Sequence, residues 1–416
     1  MSKSPAELFK EREKRINDAI SLKIPDRVPM TPFLTFFPAR YAGITSREAM
    51  YDYEKLAEAS RKTIIDFEPD MYLDPFFLVA YGRLMELLGD ARFKWPGGGL
   101  PDDSTFQFID EERMKADEYD AFIDDPTDFI LRNHIPRVLT ALEPLKKLPY
   151  LPGRYYLAYE SSVAVFGRPE VAGALRTLIE AGEEALKMQQ WARRFAAEMN
   201  DLGFPGQFSS VAYAPFDYIG DFFRGTRGIM LDMYRNPDKL LTAMEKITPA
   251  IINTSLNAAK NSGINRCLIT IHKGIDGFMS REQFQKFFWP GARDIITTLI
   301  DNDIVPFVLW EGDCTSRLDI IKDIPAGKAV YWFEQTDIFK AKEVLAGRVC
   351  IRGNVPATLL CTGSPPEVRE YCKKLIDIVG KDGGLIIDGA IGIPDDARIE
   401  NVREMVDFCR EYGVYR

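Results

Sequence analysis

Histidine is scarce in this 416-residue chain: there are two, His134 and His272. Any chemistry that needs an imidazole must use one of them. Cysteine is also thin, and the six present (Cys267, Cys314, Cys350, Cys361, Cys372 and Cys409) form no CxxC pair and no regular framework. That excludes a disulfide scaffold and a zinc ribbon, and reads as reduced thiols. With no leader-like segment at Met1-Ser2-Lys3-Ser4, the expected location is the cytoplasm. No apolar run reaches the roughly 18 residues of a membrane span. No cluster of Lys and Arg offsets the net charge of -9, which excludes a nucleic-acid surface. No Gly-x-Gly-x-x-Gly follows an apolar run, so a dinucleotide fold lacks its main support. Gly97-Gly98-Gly99, set among Pro96, Pro101 and two aspartates, reads as a loop.

What is present is a large potential core, with 46% hydrophobic and 12% aromatic residues. Apolar runs of strand length alternate with helices that carry clear start signals. Residues 28–34, 71–74, 209–213, 267–272, 304–310, 328–333, 348–351 and 384–387 read as strands. Ser280-Arg-Glu-Gln283 is a capping box, Ser364-Pro-Pro-Glu367 opens a helix that Gly380 stops, and residues 398–412 form an amphipathic helix stopped by Gly413. Eight strand–helix units predict an α/β TIM (β/α)8 barrel, with the polar strand ends forming the site. Residues 1–26 read as an N-terminal helical extension. Residues about 90–205, with helical stretches over 125–145 and 169–199, read as a long insertion in the first half. The whole chain, 1–416, is then one barrel domain.

Several motifs carry a resemblance. They are Gly353-Asn354-Val355-Pro356, Thr362-Gly363-Ser364-Pro365-Pro366-Glu367-Val368, Gly383-Gly384-Leu385-Ile386, and Gly392-Ile393-Pro394 before Glu400-Asn401-Val402. Arg27-Val28-Pro29, Ala42-Gly43-Ile44-Thr45 and Ala214-Pro215-Phe216 add to it. Together they resemble the uroporphyrinogen decarboxylase superfamily, which includes the decarboxylase and the cobalamin/thiol methyltransferases. The resemblance implies a TIM barrel. It also implies that Asp74 occupies the place of the aspartate that faces the pyrrole nitrogens in the decarboxylase. The departures are as informative. The arginine-rich loop of the decarboxylase is here Phe36-Phe37-Pro38-Ala39-Arg40-Tyr41, with one arginine. Its late histidine is Ile391, and its tyrosine falls near Asp221 or Phe222. The zinc-binding His-x-Cys and late Cys of the methyltransferases fall near Trp310-Glu311-Gly312 and at Ile391.

On this reading Asp74, His272 and Glu311 are the expected catalytic residues. Asp276, Arg352, Asn354 and Asp388 are the expected substrate contacts. His272, Glu311 and Cys314 form a conceivable zinc set without a known spacing. Each has a structural alternative: a loop histidine bonded to backbone, a salt-bridged Glu311, Asp74 as a helix cap, Asn354 as a turn residue, and Cys314 as an ordinary free thiol. The expected activity is methyl transfer between a corrinoid or methylated small substrate and an acceptor. Zinc and a corrinoid on a partner protein are the expected cofactors, and a homodimer is a further expected assembly. The alternatives are a decarboxylase or lyase of a small acid or tetrapyrrole, with uroporphyrinogen itself excluded by the missing arginines, or a barrel that only binds a ligand.

Overall fold

Apolar β-branched and aromatic runs such as Val305-Pro-Phe-Val-Leu-Trp310 form strands because both faces of a parallel sheet are covered. The computed structural model describes residues 3–150 and 156–415. A small sheet comes first in the chain: β1 (Phe93–Pro96), β2 (Gly99–Leu100) and β3 (Gln107–Phe108), with the Gly97–Gly99 turn between the first two. The main sheet is parallel and runs in chain order: β4 (Ser210–Tyr213), β5 (Arg266–Ile271), β6 (Val305–Trp310), β7 (Val330–Phe333), β8 (Cys350–Arg352) and β9 (Leu385–Ile386).

Two further extended segments complete the ring. The Thr31 amide donates to the Ile387 carbonyl at 3.1 Å and the Ile387 amide to the Pro29 carbonyl at 2.8 Å. The Asp70 amide bonds the Met30 carbonyl, and Tyr72 exchanges bonds with Pro205 and Gln207 just before β4. All eight expected strands therefore lie side by side as a TIM-type α/β barrel, inside a shell of helices. The expected capping boxes at Ser280 and Ser364 are formed, and Gly413 caps the helix Ile399–Tyr412.

The N-terminal helix Pro5–Ile20 starts at a capping box on Ser4 and buries Ile16, Ala19 and Ile20 against the barrel interior. Fully buried Asp70 anchors it through Arg15 at 2.5 Å and also holds Arg27 and the Met30 amide. Within residues 90–205 the expected helix over 125–145 is broken. Residues 126–138 form one helix, Pro126–Phe129 and Ile135–Val138 joined by the π turn Ile130–His134; extended Leu139 ends it, and Thr140–Lys147, with Pro144 inside, continues as a 3-10 segment. The second stretch forms one 33-residue helix, Pro169–Asp201. Its C-terminal half packs on the second strand segment, with Phe195 in edge contact with Tyr72 at 5.7 Å. That half serves as the outer helix of the second β/α unit. No helix of the described residues is long and apolar enough to cross a membrane.

Candidate functional site

Side chains alternate faces along a strand, and this places the polar strand ends. In β5, Ile269 and Ile271 pack outward with the helices, while Leu268 faces the barrel interior. Two and four residues on, Thr270 and His272 share its face. The same count along β6 runs Phe307, Leu309, Glu311; along β7, Val330, Trp332, Glu334; along β8, Cys350, Arg352. His272, Glu311 and Glu334 thus form one inward row at the C-terminal mouth; past β8, Gly353 at φ +107° breaks the alternation and Asn354 meets Tyr371 and Thr336 instead.

His272 is the centre of the charged cluster. Its Nδ1 lies 2.5 Å from Asp221 Oδ2, and its Nε2 lies 3.3 Å from Glu311 Oε1. Asp221 also meets the Lys273 ammonium. One helical turn earlier, buried Asp217 accepts the backbone amides of His272 and Lys273, both at 2.9 Å. Helical spacing puts Asp217 and Asp221 on one face, so the segment after Ala214-Pro215 clamps the end of β5. Asp221 and Lys273 were not among the expected site residues. Their signal was available: an i, i+4 aspartate pair at one strand end beside a His-Lys pair at the next.

The electrostatics favour an imidazolium. Burial alone would drive His272 toward neutrality, but hydrogen bonds to Asp221 and Glu311, with the charge of Asp217, raise it from 6.5 to about 11. Burial would raise Asp221 too, yet its bonds to His272 and Lys273 hold it below the usual carboxylate range. Asp217 is pushed up to about 7 by burial. A folded-state value above the unfolded one means that the imidazolium's stabilisation is complete below pH 6.5 and is lost as pH rises through about 11. Melting curves of wild type and His272→Gln should therefore lie furthest apart below pH 6.5 and converge toward pH 11. A constant separation across that window would remove the charge from His272.

The other expected residues are placed elsewhere. Arg352 and Asp388 lie one layer deeper and are fully buried. Arg352 Nη2 donates to Asp388 Oδ2 (2.8 Å), Gln207 Oε1 (2.9 Å) and the Thr31 carbonyl (2.8 Å), and its guanidinium lies 4.1 Å from the Trp332 ring centre. Asp388 Oδ1 accepts the Phe33 and Gly389 amides. The pair ties the first, third, seventh and eighth strands and has no exposed atom to offer a substrate. Asp276 pairs with Arg317 at 2.8 Å and caps Ser316, fixing two loops together. Asp74 caps the turn Pro75–Phe77 through the Phe76 amide. It lines a separate cavity of about 880 Å³ with Tyr72, Phe77 and Arg266, which neither His272 nor Glu311 lines. Burial pushes its carboxyl up to about 6. Asn354 is at the mouth, with Oδ1 accepting the Tyr371 hydroxyl at 2.9 Å.

The zinc set does not assemble. Cys314 is buried among the outward-facing core, its Sγ 3.1 Å from Thr336 Oγ1, and burial pushes its thiol up to about 12. A soft thiolate ligand is therefore absent beside His272 and Glu311. Both imidazole nitrogens are also turned to carboxylates. Among the described residues no three His, Cys, Asp or Glu side chains converge as a metal shell. The residues present do not fit a zinc ion.

The family model for uroporphyrinogen decarboxylase matches residues 207–412, which contain the whole His272 cluster. The uroporphyrinogen decarboxylase of Chlorobium luteolum is 26% identical over 210 residues, covering 49% of this chain and 58% of that protein. That of Chlorobaculum parvum is 26% identical over 220 residues, covering 51% and 61%. The matches thus span about three-fifths of those relatives' length. A methyltransferase from Methanosarcina mazei shares the fold at a TM-score of 0.62 and 16% identity, over 96% of this chain and 98% of the other. The motifs, the matched model and the shared barrel agree: the chain is a divergent member of the uroporphyrinogen decarboxylase superfamily.

Proposed function

We propose that this barrel transfers a methyl group from a small methylated substrate to a corrinoid acceptor presented by a partner protein. The observation that carries the reading is the placement of His272 at the mouth, its two ring nitrogens set between the carboxylates of Asp221 and Glu311, which favour the charged ring. When a methyl group leaves oxygen or an uncharged nitrogen, the bond's electron pair stays on the heteroatom, which then needs a proton. His272 Nε2 supplies that proton, and the methyl carbon bonds to the nucleophile entering from the open mouth. Asp221 holds the ring in place through Nδ1, and Glu311 stabilises the charged form before the substrate arrives. Thiol alkylation on a zinc thiolate lacks support, since no thiolate lies near His272.

A carboxy-lyase reading has less support. Asp74, its polar anchor, lines a different cavity, and Arg40 is the lone arginine of the loop after the first strand. The test uses free cob(I)alamin as acceptor with a panel of methoxylated and N-methylated small molecules. Methylcobalamin should accumulate, seen by absorbance, in one-to-one ratio with the demethylated product. Uroporphyrinogen should give no coproporphyrinogen. Carbon dioxide release from a small acid, with no methylcobalamin from any donor, would replace this reading with the lyase.

A further inference from the structure

A cleft of about 500 Å³ opens beyond β7 and β8, lined by Glu334, Asp337, Phe339, Asn354, Tyr371 and Ile391 among others. It begins one strand away from the His272 cluster. Trp310 pairs with Phe333 in the sheet, so Glu311 and Glu334 are neighbours on the inward row. Glu334 Oε2 accepts the amide of Gly312, the residue after Glu311, at 2.6 Å.

Its chemistry is one-sided. Two carboxylates line it and no Lys, Arg or His does. Asp337 is committed to capping its helix, one oxygen accepting the Phe339 and Lys340 amides at 3.0 Å. Glu334 Oε1 has only a long contact, 3.4 Å, from the Gln335 amide. Two of the donors are turned inward: the Tyr371 hydroxyl donates to Asn354 Oδ1 at 2.9 Å, and the Asn354 amide makes long contacts, 3.4 Å each, to the carbonyls of Glu334 and Thr336. The rest of its polar lining, the Gln335 amide and the Thr336 and Thr358 hydroxyls, is neutral, so the only formal charges facing the cleft are negative. An anionic ligand would lose water there, face two carboxylates and meet no counter-charge. A cation would gain a counter-charge and aromatic faces. The chain's own Lys374 already sets its ammonium 4.3 Å over the Phe339 ring.

We propose that this cleft takes the end of the methyl donor remote from His272, and that this end carries a positively charged ammonium group. Glu334 opposes the charge while Phe339 and Tyr371 form the walls. The substrate class is then a small ammonium-bearing molecule whose methylated heteroatom reaches His272. This rests on the methyl-transfer reading above, but its test does not require turnover.

Binding of tetramethylammonium to the full chain is measured by calorimetry, beside the neutral isostere neopentyl alcohol and the anion pivalate. Tetramethylammonium should bind at least about tenfold more tightly than either. Glu334→Gln, which keeps the acceptor for the Gly312 amide, should lose about tenfold, and Phe339→Leu should weaken binding without touching any charge. Equal binding of the three probes, or tetramethylammonium affinity unchanged in both variants, would overturn the proposal. Ammonium binding as expected with no methyl transfer from any donor would retain the cleft and remove the transferase. Transfer from neutral or anionic donors without ammonium binding would do the reverse.

Discussion

His272→Gln is expected to lower methyl transfer by about 10²- to 10⁴-fold, the usual worth of a positioned general acid. Glutamine keeps a donor near Asp221 but carries no exchangeable charge, so the leaving heteroatom would have to depart as its anion. The variants around it should grade this effect. Glu311→Gln removes one of the two carboxylates that hold the imidazolium, and the titration midpoint of His272, followed by NMR of the ring, should fall below its value in the wild type. Asp221→Asn should lower it further, since the Nδ1 bond is the shorter at 2.5 Å against 3.3 Å. Glu311 and Asp221 act here as positioning residues, so a drop in kcat that tracks the ring's titration is the required signature. Unchanged turnover in His272→Gln would remove the acid from this site. An unchanged ring titration in Glu311→Gln would remove Glu311.

The second large effect is on stability. Arg352→Met should cost about 3–5 kcal/mol, because it strips a buried charge of its partner and leaves Asp388 facing the ring interior alone. The knot joins residues 31, 207, 352 and 388, so the loss falls on the contacts that close the sheet. Asp388 is already raised to about 6 by burial, despite Arg352 beside it. Without the guanidinium it should protonate more readily still, so the variant should lose less stability at pH 5 than at pH 8. The double variant Arg352→Met, Asp388→Asn should recover part of the loss, since removing both charges removes the uncompensated one. Chemical denaturation at both pH values reads all three expectations. A single variant within about 0.5 kcal/mol of wild type would mean that the pair is a bystander.

Much of this molecule was legible residue by residue. Strands such as Cys267-Leu-Ile-Thr-Ile and Val305-Pro-Phe-Val-Leu-Trp310 are short apolar runs between polar breaks, and local pattern determines them. The capping boxes at Ser280 and Ser364 work within four residues. The stretch 125–145 was misread as one helix because its apolar spacing continues past Leu139, where the backbone turns extended before the 3-10 segment that contains Pro144. His272 and Glu311 stood out as charged residues ending apolar strands. Arg352 ends such a run too, yet it pairs beside Trp332, one inward step below Glu334. Alternation makes that step the difference between a pocket wall and a sealed core.

The sequence alone determined the barrel, the order of its units and the superfamily, because periodicity, caps and motifs are local properties of the chain. The tertiary structure alone decided which polar strand ends meet. Asp221, His272 and Glu311 lie on three successive β/α units, with Asp221 51 residues from His272. Nothing in local spacing shows that the helix after β4 turns Asp221 onto the imidazole. Nor does it show that Cys314, three residues past Glu311, turns into the outer core beside Thr336. Strand register and the inward or outward sense of each residue fix those encounters, and both are set by long-range pairing that forms only when the ring closes.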